Sequence, residues 1–239
     1  MIDAARRASA ENVNVIIPYF GYARQDRKDR PRVAIAAKMI ANLLSAAGAN
    51  RIMTCDLHAD QIQGFFDIPV DHLDGAYIFI PYLKSLGLQN IMFATPDVGA
   101  IKRARSFATH FTADLAVCDK YRKEYNKIES MRLIGEVEGK DVVLVDDLVD
   151  TAGTLCKAAV LLKANGARSV RAVCTHPVLS GNAYENIESS NLVELCVTDT
   201  IPLKKQTSKI KVLTVSDLFA KAIRKIHDHE SISSLFIKL

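Results

Sequence analysis

Two adjacent carboxylates, Asp146 and Asp147, and the small, hydroxylic run Asp150-Thr151-Ala152-Gly153-Thr154 behind them are the side chains here best suited to chemistry. They lie in VVLVDDLVDTAGT, residues 142–154. Val142 to Val145 is apolar and mostly β-branched, which predicts a buried strand of a parallel sheet, with both aspartates where that strand should end. Residues 155–165 (LCKAAVLLKAN) carry apolar side chains at helical spacing, and Gly166 is placed to stop the helix. A strand, a small-residue loop and a helix start make a phosphate site, because free N–H groups and the helix dipole both point into the loop. Gly153 permits close backbone approach, and Thr151 and Thr154 can donate hydroxyls to phosphate oxygens.

The carboxylates call for a different ligand, since they repel phosphate. Vicinal hydroxyls of a ribose are natural donors to them, so sugar plus phosphate fits better than phosphate alone. A solvated acidic turn is the plainer alternative. A Mg²⁺-holding Walker-type strand would need a G-x-x-x-x-G-K-[ST] partner, and the sequence has neither that nor G-x-G-x-x-G.

Other candidates are expected at strand ends. Arg24, Arg27, Lys28, Arg30 and Arg32, against Asp26 and Asp29, crowd a loop after Val13–Ile17 (VNVII), a predicted strand buried on both faces. A charge run is usually solvated, but loops at the carboxyl ends of strands in α/β sheets are where ligands bind. His58 follows strand 51–55, Asp97 follows strand 90–94, and Lys120, Tyr121 and Arg122 follow strand 115–118. His227 and His229 are two apart on a helix and do not face each other.

The elements that must position these residues alternate strand and helix, which calls for parallel sheets with right-handed crossovers. Setting Gly48 on Gly166 aligns Leu43-Leu44 with Leu161-Leu162, Ala49 with Ala167 and His58 with His176. Two copies of one α/β plan predict two similar domains. They are expected at 1–72, with 217–239 packing back on it, and at 73–216. Residues 67–72 (DIPVDH) join them, residues 123–130 are expected to form a mobile loop, and Ser216 is expected to cap the last helix.

A chain of 239 residues with 49% apolar and 24% charged residues can bury a real core. No apolar run approaches a membrane span, and MIDAARRASA lacks the apolar region of a signal peptide. Five dispersed cysteines without a C-x-x-C predict reduced thiols in a cytoplasmic protein. A net charge of +4 suits anionic substrates and argues weakly for nucleic acid.

IPYFGYARQDRK, CDLHADQIQGFFDIPVDHL, TPD, DKYR, VDDLVDTAGT and CTHPVLSGNA, spread from end to end, closely resemble the ribose-phosphate diphosphokinase family, also called phosphoribosyl diphosphate synthetases. The resemblance implies two type I phosphoribosyltransferase-like domains of α/β class. It implies transfer of the diphosphoryl group of ATP to the 1-hydroxyl of ribose 5-phosphate, with Mg²⁺ and release of AMP, for nucleotide biosynthesis. Arg24 and Gln25 would contact ATP, and His58 and Asp97 the Mg²⁺–ATP complex. Lys120 and Arg122 would be catalytic, with Arg122 also on the ribose phosphate, and Asp146, Asp147 and Asp150–Thr154 would hold ribose 5-phosphate. A homo-oligomer is implied, dimer-based and hexameric in the family, with no nucleic-acid or membrane partner.

Three departures stand out. Gly99 is followed by Ala100 where the family has a second glycine, and Tyr121 stands where arginine is frequent. Met1 matches an internal position of the family, so part of the first domain is expected to be absent. That leaves a non-catalytic chain, binding ribose 5-phosphate or full-length synthetase subunits, as the alternative. A nucleobase phosphoribosyltransferase is a third reading, disfavoured by YARQDR and DLH.

Overall fold

A computed structural model of the chain describes residues 1–121 and 130–236, so Arg122 and all but the last residue of the expected mobile loop lie outside the described residues. The described chain divides into two units, Met1–Gly75 and Ala76–Leu239.

The first unit contains α1 (Ile2–Arg7), β1 (Asn14–Ile17), α2 (Ala36–Ala46), β2 (Arg51–Cys55), a 3₁₀ turn at Asp60–Phe65 and β3 (Val70–Leu73). Its strands form a parallel sheet in the order β1-β2-β3. Helix α2 shows the sheet two fully buried alanines, Ala37 and Ala41, so small side chains let the helix sit close over Ile52. Phe20 and Phe66 close this core edge to face, with ring centroids 5.9 Å apart.

The second unit runs α3 (Ala76–Ser85), β4 (Ile91–Thr95), α4 (Ile101–Phe111), β5 (Leu115–Tyr121), β6 (Ser130–Ile134), β7 (Asp141–Val149), α5 (Gly153–Ala164), β8 (Ser169–Pro177), α6 (Ala183–Ser189), β9 (Glu194–Thr198), β10 (Ile210–Leu213) and α7 (Ser216–His227). The seven strands lie in the order β10-β9-β8-β7-β4-β5-β6, all neighbours parallel except the antiparallel pair β5–β6. The sheet is covered on both faces. Val142 and Leu144 pack with Ala158, Ala159 and Leu162 of α5, while Val143 and Val145 pack with Phe79 of α3 and Phe107 of α4. Burial on both faces is why Val142 to Val145 of β7 form an unbroken apolar run.

Several expectations need correction. DIPVDH is not merely a joint: Val70–Leu73 is a third strand, parallel to β2. Its pattern was hidden because a buried position holds Asp71, which takes the Arg51 guanidinium at 2.8 Å. VNVII is not buried on both faces; Asn14 is exposed and Val15 to Ile17 are half-buried, since among the described strands β1 pairs with β2 alone. Strand β7 does not end at the aspartates, because pairing with β8 continues to Val149 opposite Pro177. Helix α7 falls in the second unit, with Lys221 set over the Tyr77 ring of α3 at 5.7 Å. Ser216 is the first residue of α7 rather than its cap. The Thr214 hydroxyl accepts the Ser216 N–H at 3.1 Å, and the Asp199 carboxylate accepts the Val215 N–H at 2.8 Å.

Candidate active site

The site grows from strand parity in the second unit. Ala116 and Cys118 of β5 and Val142 and Leu144 of β7 all face α5, in one core. Side chains alternate along a strand, so Lys120 and Asp146, two residues further on, emerge on that same side. There they meet the start of α5. The Lys120 ammonium donates to Thr154 Oγ1 at 2.7 Å. A cation is thereby fixed on the hydroxyl that opens the helix, a contact that spacing alone could not foretell.

Asp146 is partly buried and Asp147 almost wholly so. The Asp147 N–H donates to Asp146 Oδ1 at 2.9 Å. Burial pushes the Asp146 carboxyl well above its ordinary range, and the neighbouring carboxylates of Asp147 and Asp97 push it the same way. The same pair, after burial itself, helps raise the Cys174 thiol beneath them. Asp97 thus shares the field of the aspartate pair. It heads a short 3₁₀ turn, where its Oδ1 accepts the Gly99 N–H at 2.9 Å and its own N–H donates to the Thr95 hydroxyl at 3.2 Å.

The loop after β7 has an unusual backbone. Ala152 sits in the left-handed region at φ 60° with its side chain buried. Gly153 does not have a positive φ, and a Cβ there would meet only Thr151 Oγ1 at 3.7 Å. Nothing within the described loop itself therefore requires a glycine at 153.

In the first unit, Arg24 and Gln25 are exposed on the loop after β1, and His58 is exposed after β2. Because β1 and β2 are parallel, both loops leave the same edge of the sheet. Gln61 Nε2 reaches Asp26 Oδ2 at 3.3 Å, tying the basic loop to the 3₁₀ turn. The sequence reading missed His72. Its Nε2 accepts the Leu57 N–H at 2.8 Å, fixing the backbone immediately before His58. The signal that could have found it is the D-L-H…D-H pairing, with His72 on β3 beside β2. Among the described residues no three His, Cys, Asp or Glu side chains gather as a metal cluster. No helix of the described chain is long and apolar enough to cross a membrane.

Comparison with known proteins agrees with this architecture. Residues 1–48 match the family profile described as the N-terminal domain of ribose phosphate pyrophosphokinase, and residues 122–237 that of the phosphoribosyl synthetase-associated domain. The ribose-phosphate pyrophosphokinase of Wolinella succinogenes is 58% identical over 237 residues, 99% of this chain and 77% of the relative. That of Porphyromonas gingivalis is 56% identical over 237 residues, 99% of this chain and 76% of the relative. The crystal structure of phosphoribosylpyrophosphate synthetase from Mycobacterium smegmatis superposes with a TM-score of 0.90 at 38% identity, covering 96% of this chain and 76% of that one. The chain thus spans about three quarters of the length of these relatives. With its two phosphoribosyltransferase-like α/β units, it belongs to the ribose-phosphate pyrophosphokinase family of enzymes.

Proposed function

We propose that the chain binds ribose 5-phosphate on Asp146, Asp147 and Asp150–Thr154, and that its family's reaction is carried out against that loop. The observation that carries the reading is the Lys120–Thr154 contact beside the aspartate pair, which fixes a cation at the start of the loop's helix. In this reading the ribose hydroxyls donate to the two carboxylates, and the 5-phosphate takes loop N–H groups and the hydroxyls of Thr151 and Thr154. The sugar's 1-hydroxyl oxygen attacks the β-phosphorus of ATP and gives its proton to solvent, the bond from that phosphorus to the α–β bridging oxygen breaks, and AMP leaves with that oxygen. Charge builds on the transferring oxygens, so cations held in place lower the barrier most. Lys120 and Arg122 are assigned that role, and Arg24 and Gln25 the nucleotide.

A divalent cation fits the donor set. Asp146 is raised partly by the carboxylates of Asp147 and Asp97, and a cation nearby relieves that repulsion. Mg²⁺ takes one or two protein carboxylates and completes its shell with substrate oxygens and water. We assign Asp97 of the second unit to it, and His58 of the first unit to the nucleotide, with Arg24 and Gln25. When bound, the ion would neutralise phosphate charge. We also read the chain as self-associating, because among the described strands β1 leaves one edge unpaired.

Calorimetry with ribose 5-phosphate, alongside AMP release from ATP with and without the sugar, tests the assignment. Gly153→Val and Asp146→Asn should each weaken sugar-phosphate binding and leave ATP binding largely intact. Unchanged affinity in both would overturn it. Lys120→Ala should lower kcat by roughly 10²–10³-fold with a modest change in KM, as loss of a transition-state contact does. A KM effect at normal kcat would make Lys120 a binding residue only. Binding without AMP release would favour the non-catalytic alternative.

A further inference from the structure

An anion-binding loop must turn its N–H groups toward the ligand and its carbonyls away. Three successive carbonyls, from the end of β7 into this loop, are held from behind by the connection after β8 and by α6. Leu179 N–H donates to Val149 O at 3.1 Å, Ser180 N–H to Asp150 O at 3.1 Å, and Asn186 Nδ2 to Thr151 O at 2.9 Å. The Ser180 hydroxyl also donates to the Asp150 carboxylate. In a planar trans peptide the C=O and the following N–H point in opposite directions. Fixing carbonyls 149, 150 and 151 therefore aims the N–H groups of Asp150, Thr151 and Ala152 the other way, out of the brace.

The loop needs such a brace. Ala152 lies in the left-handed region at φ 60°, which a residue with a Cβ rarely adopts. Leu179, on the bracing segment, is left-handed too at φ 46°, and both side chains are buried in the same core. Two left-handed residues buried in one core persist because the surrounding structure over-determines them. Among the described residues, the Asn186 amide holds the last of the three carbonyls. Its own carbonyl accepts the Cys156 thiol of α5 at 3.4 Å. Thr151 is exposed, so water could satisfy its carbonyl equally well. What Asn186 adds is direction.

We propose that Asn186 is a positioning residue for substrate phosphate: by holding the Thr151 carbonyl it aims the Ala152 N–H at the 5-phosphate. This rests on the ribose 5-phosphate reading of the loop. The test is calorimetry of ribose 5-phosphate on the full chain carrying Asn186→Asp, Asn186→Gln, Glu185→Gln or Gly153→Val, with the Ala152 amide followed by NMR. Asn186→Asp removes the donor and sets an oxygen against the carbonyl. It should weaken binding about tenfold, the value of one directed hydrogen bond, and move the Ala152 amide resonance at unchanged Tm. Asn186→Gln, which keeps an amide donor, should restore most of the affinity, and Glu185→Gln, whose carboxylate faces Lys205, should change nothing. If Gly153→Val loses affinity while Asn186→Asp binds normally, the positioning role is overturned and the ribose reading stands. If Asn186→Asp and Asn186→Gln lose affinity equally, or Tm falls with it, the role is merely structural and the proposal is overturned. If the chain and Gly153→Val bind alike or not at all, the ribose reading fails and this inference with it.

Discussion

The two units solve one local problem identically and then diverge. Helices α2 and α5 end in the same way. Gly48 N–H donates to Ser45 O and Ala49 N–H to Leu44 O, and Gly166 N–H donates to Lys163 O and Ala167 N–H to Leu162 O. Both glycines have positive φ, 100° and 88°, and both following alanines are buried beside the leucine of their own cap. This is the Schellman ending, in which a left-handed glycine lets the chain reverse into the next strand. The strands that follow differ in what surrounds them. Strand β2 is flanked by the half-buried β1 and the short β3, whereas β8 lies between β7 and β9 inside a sheet covered on both faces. The aligned histidines record the difference: His58 is exposed, and His176 is buried with its Nδ1 2.9 Å from the Thr200 hydroxyl. Local sequence sets the turn, and the number of covering layers sets what the turn is worth.

The strongest way to break this comparison is to separate the units. Expressed alone, residues 76–239 should fold cooperatively, whereas residues 1–75, with three strands and a small core, should not. Circular dichroism and thermal unfolding of the two pieces check it. In the intact chain, amides of β7 and β8 should exchange only on global unfolding and those of β1 much sooner. Equal protection in β1 and β8 would mean that the edge is covered and the contrast is illusory.

A single core residue sharpens the same contrast. Leu144 is fully buried at the centre of the seven-stranded sheet, and Val15 is half-buried on an edge. Leu144→Ala should cost about 3 kcal/mol and Val15→Ala about 1 kcal/mol or less, read from urea unfolding midpoints. Similar costs would place β1 in a core that the strand order does not provide.

What was legible in the sequence follows the same line. Where apolar runs and a glycine stop coincide, as from Val142 to Gly166, strand, loop and helix were readable, and so was the aspartate pair. Strand β3 was not, because its buried position carries Asp71, whose partner Arg51 lies 20 residues away in sequence. Nor was the length of β7, since pairing opposite Leu148 and Val149 depends on β8 rather than on local composition. At the site, residue types were readable from spacing and resemblance. The Lys120–Thr154 contact, the His72 support behind His58 and the brace from Asn186 are tertiary meetings, and no periodicity encodes them.

A pH-dependent form of the contrast lies in two ion pairs near strand starts, Asp141 with Arg168 in the second unit and Asp71 with Arg51 in the first. Asp141 opens β7, buried, and takes the Arg168 guanidinium with both oxygens, through Nε at 3.0 Å and through Nη2, besides the Ser169 hydroxyl at 2.6 Å and the Gln89 N–H at 3.2 Å. The Arg168 hydrogen bonds hold its carboxyl down to about 2 against an ordinary 3.8, outweighing the opposing effect of burial. A carboxyl held below its unfolded value stabilises the fold fully above that value, and the contribution disappears as pH falls from about 4 through about 2. Asp141→Asn keeps the shape and removes the charge. Because the Arg168 side chain is 45% exposed, solvent screens the pair, and the loss at neutral pH should be about 1–2 kcal/mol. Urea unfolding of the chain and of Asp141→Asn should therefore converge near pH 2 and separate above pH 4. In the first unit Asp71 meets Arg51 through one guanidinium nitrogen only, at 2.8 and 2.9 Å, so Asp71→Asn should cost less. A loss for Asp141→Asn that is the same at pH 2 and pH 7 would assign the effect to packing around the side chain and remove charge from the comparison.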